Sequence, residues 1–128
     1  MVKQLLIALL AVLTTATQAG TVGVHLGSWH DEPGYNNFNP GVYYIGDEGY
    51  VVGTYYNSER HQSVYAGGVM EHGPFALMVG AVTGYENSPL MLYAVPSVKA
   101  FNFRLSWIPK VGSVNTVNVL HLSYEFKF

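Results

Sequence analysis

The chain has no cysteine. That excludes disulfides, a thiolate metal site, a cysteine nucleophile and a lipoprotein anchor. Charge is scarce as well: Asp, Glu, Lys and Arg make up 11% of the 128 residues, against about 25% in an average soluble domain. The formal net charge is −2, so there is no basic footprint for nucleic acid. No apolar run reaches the roughly 18 residues that a transmembrane helix needs. Repeats, linkers and low-complexity segments are missing too, and the length allows one domain at most. What is abundant is aromatic and small: ten Tyr, six Phe and 14 Gly, with 49% hydrophobic residues overall. Such a chain is too apolar to be disordered. Its composition suits a small closed sheet whose outside faces lipid.

The first residues read as a targeting segment. Lys3 supplies positive charge, Leu5 to Leu13 is apolar, and Thr17-Gln18-Ala19 offers small residues for a signal peptidase before Gly20. The expected organisation is a signal peptide over 1–19 and one domain over 20–128, with a retained anchor helix as the alternative.

The remainder alternates. In Phe101-Asn102-Phe103-Arg104-Leu105-Ser106-Trp107 every odd residue is apolar and every even one polar, and Leu120 to Phe128 repeats the pattern. A period of two means a strand with two unlike faces. Breakers divide the chain into strands expected near 20–30, 40–46, 49–57, 61–71, 74–84, 90–100, 101–108 and 114–128. The fold class expected is all-β: an eight-stranded antiparallel transmembrane β-barrel, whose even strand count returns both ends to one side. Phe128, with Phe126, Tyr124 and Leu122 on one face, resembles the C-terminal signal of bacterial outer-membrane barrels. That resemblance implies the bacterial outer membrane as the location and the barrel-assembly machinery as a partner through Phe128. The chain is expected to be monomeric.

Several pieces taken in order resemble one family. They are Val24-His25, a long first loop ending Tyr35-Asn36-Asn37-Phe38-Asn39-Pro40-Gly41, then Tyr55-Tyr56-Asn57-Ser58. There follow Val64-Tyr65-Ala66-Gly67 with Glu71, Gly80-Ala81-Val82-Thr83, Pro89-Leu90, Val95-Pro96-Ser97-Val98 and Ser106-Trp107-Ile108-Pro109. Together they resemble the lipid A palmitoyltransferases of the bacterial outer membrane, eight-stranded barrels that move an acyl chain from a phospholipid to lipid A. The resemblance implies a phospholipid donor and a lipid A acceptor as partners and no cofactor. It implies His25 and Ser58 as catalytic residues, with Asn57 where the family has Asp. An amide orients a neighbour but cannot hold a proton as a carboxylate does. The chain also differs in lacking the family's amphipathic helix before the barrel, in its shorter loops, and in Val69 where a Gly limits acyl-chain depth.

The residues give their own reading beside this. In Val22-Gly23-Val24-His25-Leu26 the apolar set faces out, so His25 faces the lumen, either as a general base or as a hydrogen-bonded packing residue. Asn57 and Ser58 fall where the third strand enters a loop, and both are common turn residues. If Asn57 faces in, so do Val51, Gly53 and Tyr55, while Ala76, Met78, Gly80 and Val82 oppose an outward Phe75, Leu77, Val79 and Ala81. The upper lumen is thus expected to be apolar and glycine-lined. It is either a slot for an alkyl chain, lined by Gly53, Tyr55, Val69, Met78 and Gly80, or space filled by the barrel's own side chains. Arg104, His121, Glu125 and Lys127 are expected as an ion-paired plug near the other end. Pro96 and Pro109 remove ladder donors and mark a weak seam, which the resemblance implies as lateral lipid entry. The five histidines show no metal-ligand spacing, and no metal is expected at His30-Asp31-Glu32.

Three functions follow: an outer-membrane lipid acyltransferase, a catalytically silent barrel that binds lipid, and a small surface barrel that excludes a phage or blocks a receptor.

Overall fold

The computed structural model describes residues 3, 20–85, 88–108 and 118–127. Eight antiparallel strands close into a barrel in chain order. They are β1 (Gly20–His30), β2 (Phe38–Gly46), β3 (Tyr50–Tyr56), β4 (Gln62–His72), β5 (Phe75–Tyr85), β6 (Ser88–Ala100), β7 (Phe103–Ile108) and β8 (Val119–Lys127). β1 closes the ring against β8, from Thr21↔Lys127 to His30↔Val119. The ring closes through every neighbouring pair of strands, although β6 and β7 are joined over four residue pairs only, Ser97↔Ser106 to Ala100↔Phe103.

The expected strands match these closely, with β2 and β6 starting two residues earlier and β7 two residues later. β8 begins at Val119. The stretch expected as strand over 114–117, together with Phe128, Pro109 and the signal segment apart from Lys3, lies outside the described residues.

Three tight turns gather at one end of the barrel, called here the near end because β1 starts and β8 finishes there. Gly49 and Gly73 hold the first two with positive φ, 90° and 60°, a conformation that only glycine adopts at no steric cost. In the third, Phe101-Asn102, the left-handed position falls on Phe101 itself, with φ 59° and 96% exposure. The connections 31–37 and 57–61 lie at the far end.

The alternation decides what faces where. Leu77, Val79, Leu92, Leu105, Leu122 and Phe126 point away from the lumen, Leu92 with 80% exposure. The core is inside the ring, formed by Tyr43, Ile45, Val51, Tyr65, Met78 and Val82, with Tyr55, Val69, Tyr85, Met91 and Tyr93 packed against them. β5 divides as expected, with Ala76, Met78 and Val82 buried and Phe75, Leu77 and Val79 exposed.

The lumen differs from the expected apolar, glycine-lined slot. Several of its glycines lie under tyrosines. A Cβ on Gly23 would run into the ring of Tyr43, one on Gly53 would meet Tyr65 at 2.6 Å, and one on Gly80 or Gly67 would meet the Tyr93 hydroxyl at 2.7 and 2.8 Å. The space of the missing Cβ atoms is filled from the neighbouring strand, where Gly23 pairs with Tyr43, Gly53 with Tyr65 and Gly80 with Tyr93. Abundant Gly and abundant Tyr are thus one feature, because small barrels fill their interior with paired small and large residues.

One irregularity matters for the site. The β1 register shifts between His25 and Gly27 against both neighbours. His25 pairs with Ser123, but Gly27 pairs with outward-facing Leu122. Leu26 and Gly27 therefore both face out. This β-bulge inverts the phase of the strand, and Ser28 and His30 return to the face that carries His25.

Candidate functional site

The lumen has two polar layers. In the near half, the buried Arg104 guanidinium donates to Glu125 at 2.6 and 3.1 Å, to Ser97 Oγ at 2.8 Å and to Glu71 at 3.3 Å. Lys99 Nζ lies 3.3 Å from Glu125, and the Tyr43 hydroxyl donates to the same carboxylate. Every one of these charges has an opposite partner, as burial requires. The expected plug is present around Arg104 and Glu125, and its composition is corrected. His121 sits higher up, and Lys127 is exposed at the near mouth, where it lines a recess of about 260 Å³ with Thr21, Ile45, Asp47, Val69 and Glu71. Glu71, Lys99 and Tyr43 complete the plug.

The second layer lies at mid-height and is built by β1, β8 and β4. The Ser28 hydroxyl is 2.7 Å from His121 Nδ1. His121 Nε2 is 2.8 Å from His25 Nδ1, and His25 Nε2 is 2.8 Å from the Tyr65 hydroxyl. Four side chains thus form one unbranched chain in which all four ring nitrogens are used. Its tautomers are coupled, since a neutral imidazole donates at one nitrogen and accepts at the other. If Ser28 donates to His121, then His121 donates to His25 and His25 to Tyr65. The rings of Tyr43 and Tyr55 enclose His25, with centroids 4.8 and 5.3 Å away.

The residues expected to be catalytic are only partly brought together. His25 is in the lumen as expected, but its ring nitrogens face His121 and Tyr65. Asn57 is fully buried at the β3–β4 turn. Its amide donates to Ser63 Oγ at 2.9 Å and to the Gly84 carbonyl at 2.8 Å, and its oxygen accepts from the Glu59 and His61 backbone N–H groups. Its side chain thus holds the turn and ties it to β4 and β5, and an ionised carboxylate could not donate the two bonds that the amide makes. Ser58 stands in that turn, where its carbonyl accepts from the Asn36 N–H at 3.0 Å. No hydrogen bond joins His25 to Asn57 or Ser58 among the described residues.

Of the residues expected to line an alkyl slot, Gly53 and Gly80 hold tyrosines. The Tyr55 hydroxyl bonds that of Tyr85 at 2.6 Å, Met78 is buried in the core, and Val69 packs beside it near the recess. Pro96 is on the outer wall. The β6–β7 register runs from Ala100↔Phe103 to Ser97↔Ser106 and stops before Pro96. An apolar groove of about 230 Å³ opens there, lined by Phe75, Pro96, Val98, Leu105, Trp107 and Leu120 among others.

In the first far-end loop, His30 Nδ1 is 2.6 Å from Asn37 Oδ1 and its ring stacks on Tyr35. The Asp31 carboxylate accepts from the backbone and amide of Asn118. Among the described residues no cluster of three or more His, Asp or Glu side chains has the geometry to hold a metal ion.

Ser28, His121 and Tyr65 were not singled out as site residues from the sequence. One signal was there: the apolar positions run Val22, Val24, Leu26 and then Trp29, a slip of phase at Gly27 that marks the bulge.

Compared with known proteins, the chain matches no protein-family model and no curated protein sequence.

Proposed function

We propose that this is a small barrel of the bacterial outer membrane that binds lipid along its outer wall. The observation that carries the reading is the β6–β7 groove. Its wall is continuous with the apolar outer face, and it lies where the ladder stops at Pro96. In water, a face carrying Leu92, Leu105 and Leu122 is a liability; in a bilayer it is the ordinary exterior of a β-barrel. The occupant that suits the groove is an acyl chain, since its rim is almost entirely hydrocarbon. The lumen is occupied by its own side chains, which leaves no bore for a solute.

The test is lipid retention. The full chain, purified from membranes in mild detergent, should carry phospholipid detectable by mass spectrometry. Leu105→Ser should reduce that lipid while leaving a heat-modifiable barrel. Equal lipid in both proteins would remove the groove from the account.

The lipid A acyltransferase reading has one observation in its favour, the same seam at Pro96. It needs space for an alkyl chain, and that space is taken by Tyr43, Tyr65 and Tyr93. Lipid A from cells expressing the chain, compared by mass spectrometry with lipid A from cells without it, tests this reading directly. An added acyl chain supports it, and an unchanged profile in cells with folded barrel rejects it.

A further inference from the structure

We propose that Ser28 is a nucleophile whose proton is taken by His121, with His25 as the positioning residue behind it, and that the site accepts an acyl ester. The inference goes beyond lipid binding on the outer wall, and its substrate class rests on the membrane reading.

The arrangement has the parts that nucleophilic acyl transfer needs. A hydroxyl lies 2.7 Å from an imidazole nitrogen. The far nitrogen of that imidazole is fixed by a third group at 2.8 Å, and the third group is itself fixed by Tyr65 at 2.8 Å. His25 here stands where a carboxylate stands in the Ser-His-Asp arrangement. A neutral imidazole sets the tautomer and orientation of its neighbour, and it shares the positive charge that forms on that neighbour. Tyr65 completes the order, since with its oxygen accepting from His25 Nε2, His25 Nδ1 is left to accept from His121.

The backbone assembles this on purpose-built geometry. Ser28 and His121 are cross-strand partners. His25 and Ser28 are three residues apart, so on a regular strand they would face opposite sides. The bulge at Leu26 and Gly27 brings both to the lumen. Bulges of this kind re-aim side chains beside active sites. Ser28 and His25 are both half-buried. His25 is flanked by the rings of Tyr43 and Tyr55, and Ser28 stands three residues further along β1 toward the far end, so a carbonyl that meets the chain of hydrogen bonds from that end meets Ser28 first. At the level of an outer leaflet, the carbonyl compounds at hand are lipid acyl esters.

The step balances without a further reagent. Ser28 Oγ bonds to the ester carbon as its proton passes to His121 Nδ1, and the carbonyl pair moves onto oxygen. Collapse expels the alcohol, which takes the proton from His121. The acyl group on Ser28 then passes to water or to another hydroxyl by the reverse steps, with His121 again the base.

The test uses a long-chain alkyl fluorophosphonate on the purified, folded full chain in detergent. The expected result is one covalent adduct, mapped by mass spectrometry to Ser28, and absent after unfolding in denaturant. Ser28→Ala should abolish it. His121→Gln should slow it by about 10²-fold or more, the usual contribution of a general base. His25→Asn, which keeps an acceptor near the place of Nδ1, should retain more reactivity than His25→Leu at equal folded fraction; a packing role alone would not separate the two. An unlabelled Ser28 in folded wild type, equal labelling of the unfolded chain, or unchanged labelling in a folded His121→Gln would overturn the proposal. The wild-type result needs no variant to fold. Lipid retention at the groove is measured separately, so either reading fails without the other.

Discussion

The two halves of the lumen solve one packing problem with different chemistry. The near half is held by charge, with Arg104 at the centre of Glu125, Glu71 and Ser97, and Lys99 alongside. The layer above it, around His25, His121, Ser28 and Tyr65, contains no carboxylate and is linked through neutral donors and acceptors. A buried ion pair breaks badly, because removing one member strands the other charge. A neutral network loses a single hydrogen bond and adjusts. The near half is therefore where losing one group costs most, and the upper layer is where a proton can move without stranding a charge.

The sharpest way to break that comparison is Glu125→Ala. Glu125 is 2% exposed and serves Arg104, Lys99 and Tyr43, so its loss should cost about 3–5 kcal/mol, read as a lower urea midpoint for the gel shift of the folded barrel. A cost no larger than that of an upper-layer change would dissolve the distinction. Next comes the outer face. Leu122 is 38% exposed, and on a surface in water its change to Arg would stay within about 0.5 kcal/mol. In a bilayer Leu122→Arg should cost about 2–4 kcal/mol if it sits near the midplane, measured by folding into vesicles. A smaller effect is expected at a tyrosine socket. Gly53→Ala should cost about 1–3 kcal/mol by overpacking, because the new methyl meets Tyr65 and the Tyr43 Cβ. Tyr65→Leu should relieve part of it, so the double variant should be less destabilised than the sum of the singles. The smallest is Tyr65→Phe, which removes one neutral hydrogen bond to His25 and should cost about 1 kcal/mol in the same urea titration.

Much of the wall was legible because alternation is local. Phe103-Arg104-Leu105-Ser106-Trp107 shows its two faces without reference to any other strand, and β5 divided correctly by the same rule. Contents of the lumen were harder, because they depend on the register between strands. Gly53 and Gly80 read as empty lining when taken alone, yet register places Tyr65 and Tyr93 over them. Asn57 read by resemblance as standing in for a catalytic acid, and the structure spends its hydrogen bonds on the turn and on tying it to Ser63 and Gly84 of the next two strands. His25 was found, but the rest of its hydrogen-bonded chain was not, since Ser28 turns to the same face only through a bulge and His121 comes from a strand 96 positions later.

The closing ladder adds a consequence in time. β1 and β8 come from opposite ends of the chain, so their pairing has the greatest loop-closure cost in the fold and belongs late in assembly. Ser28 and His25 lie on one of these strands and His121 on the other. A half-built sheet therefore has a serine and two histidines but no hydrogen-bonded chain between them. The arrangement proposed as reactive comes into being only when the ring shuts, so a chain whose β1 and β8 have not yet paired does not carry it.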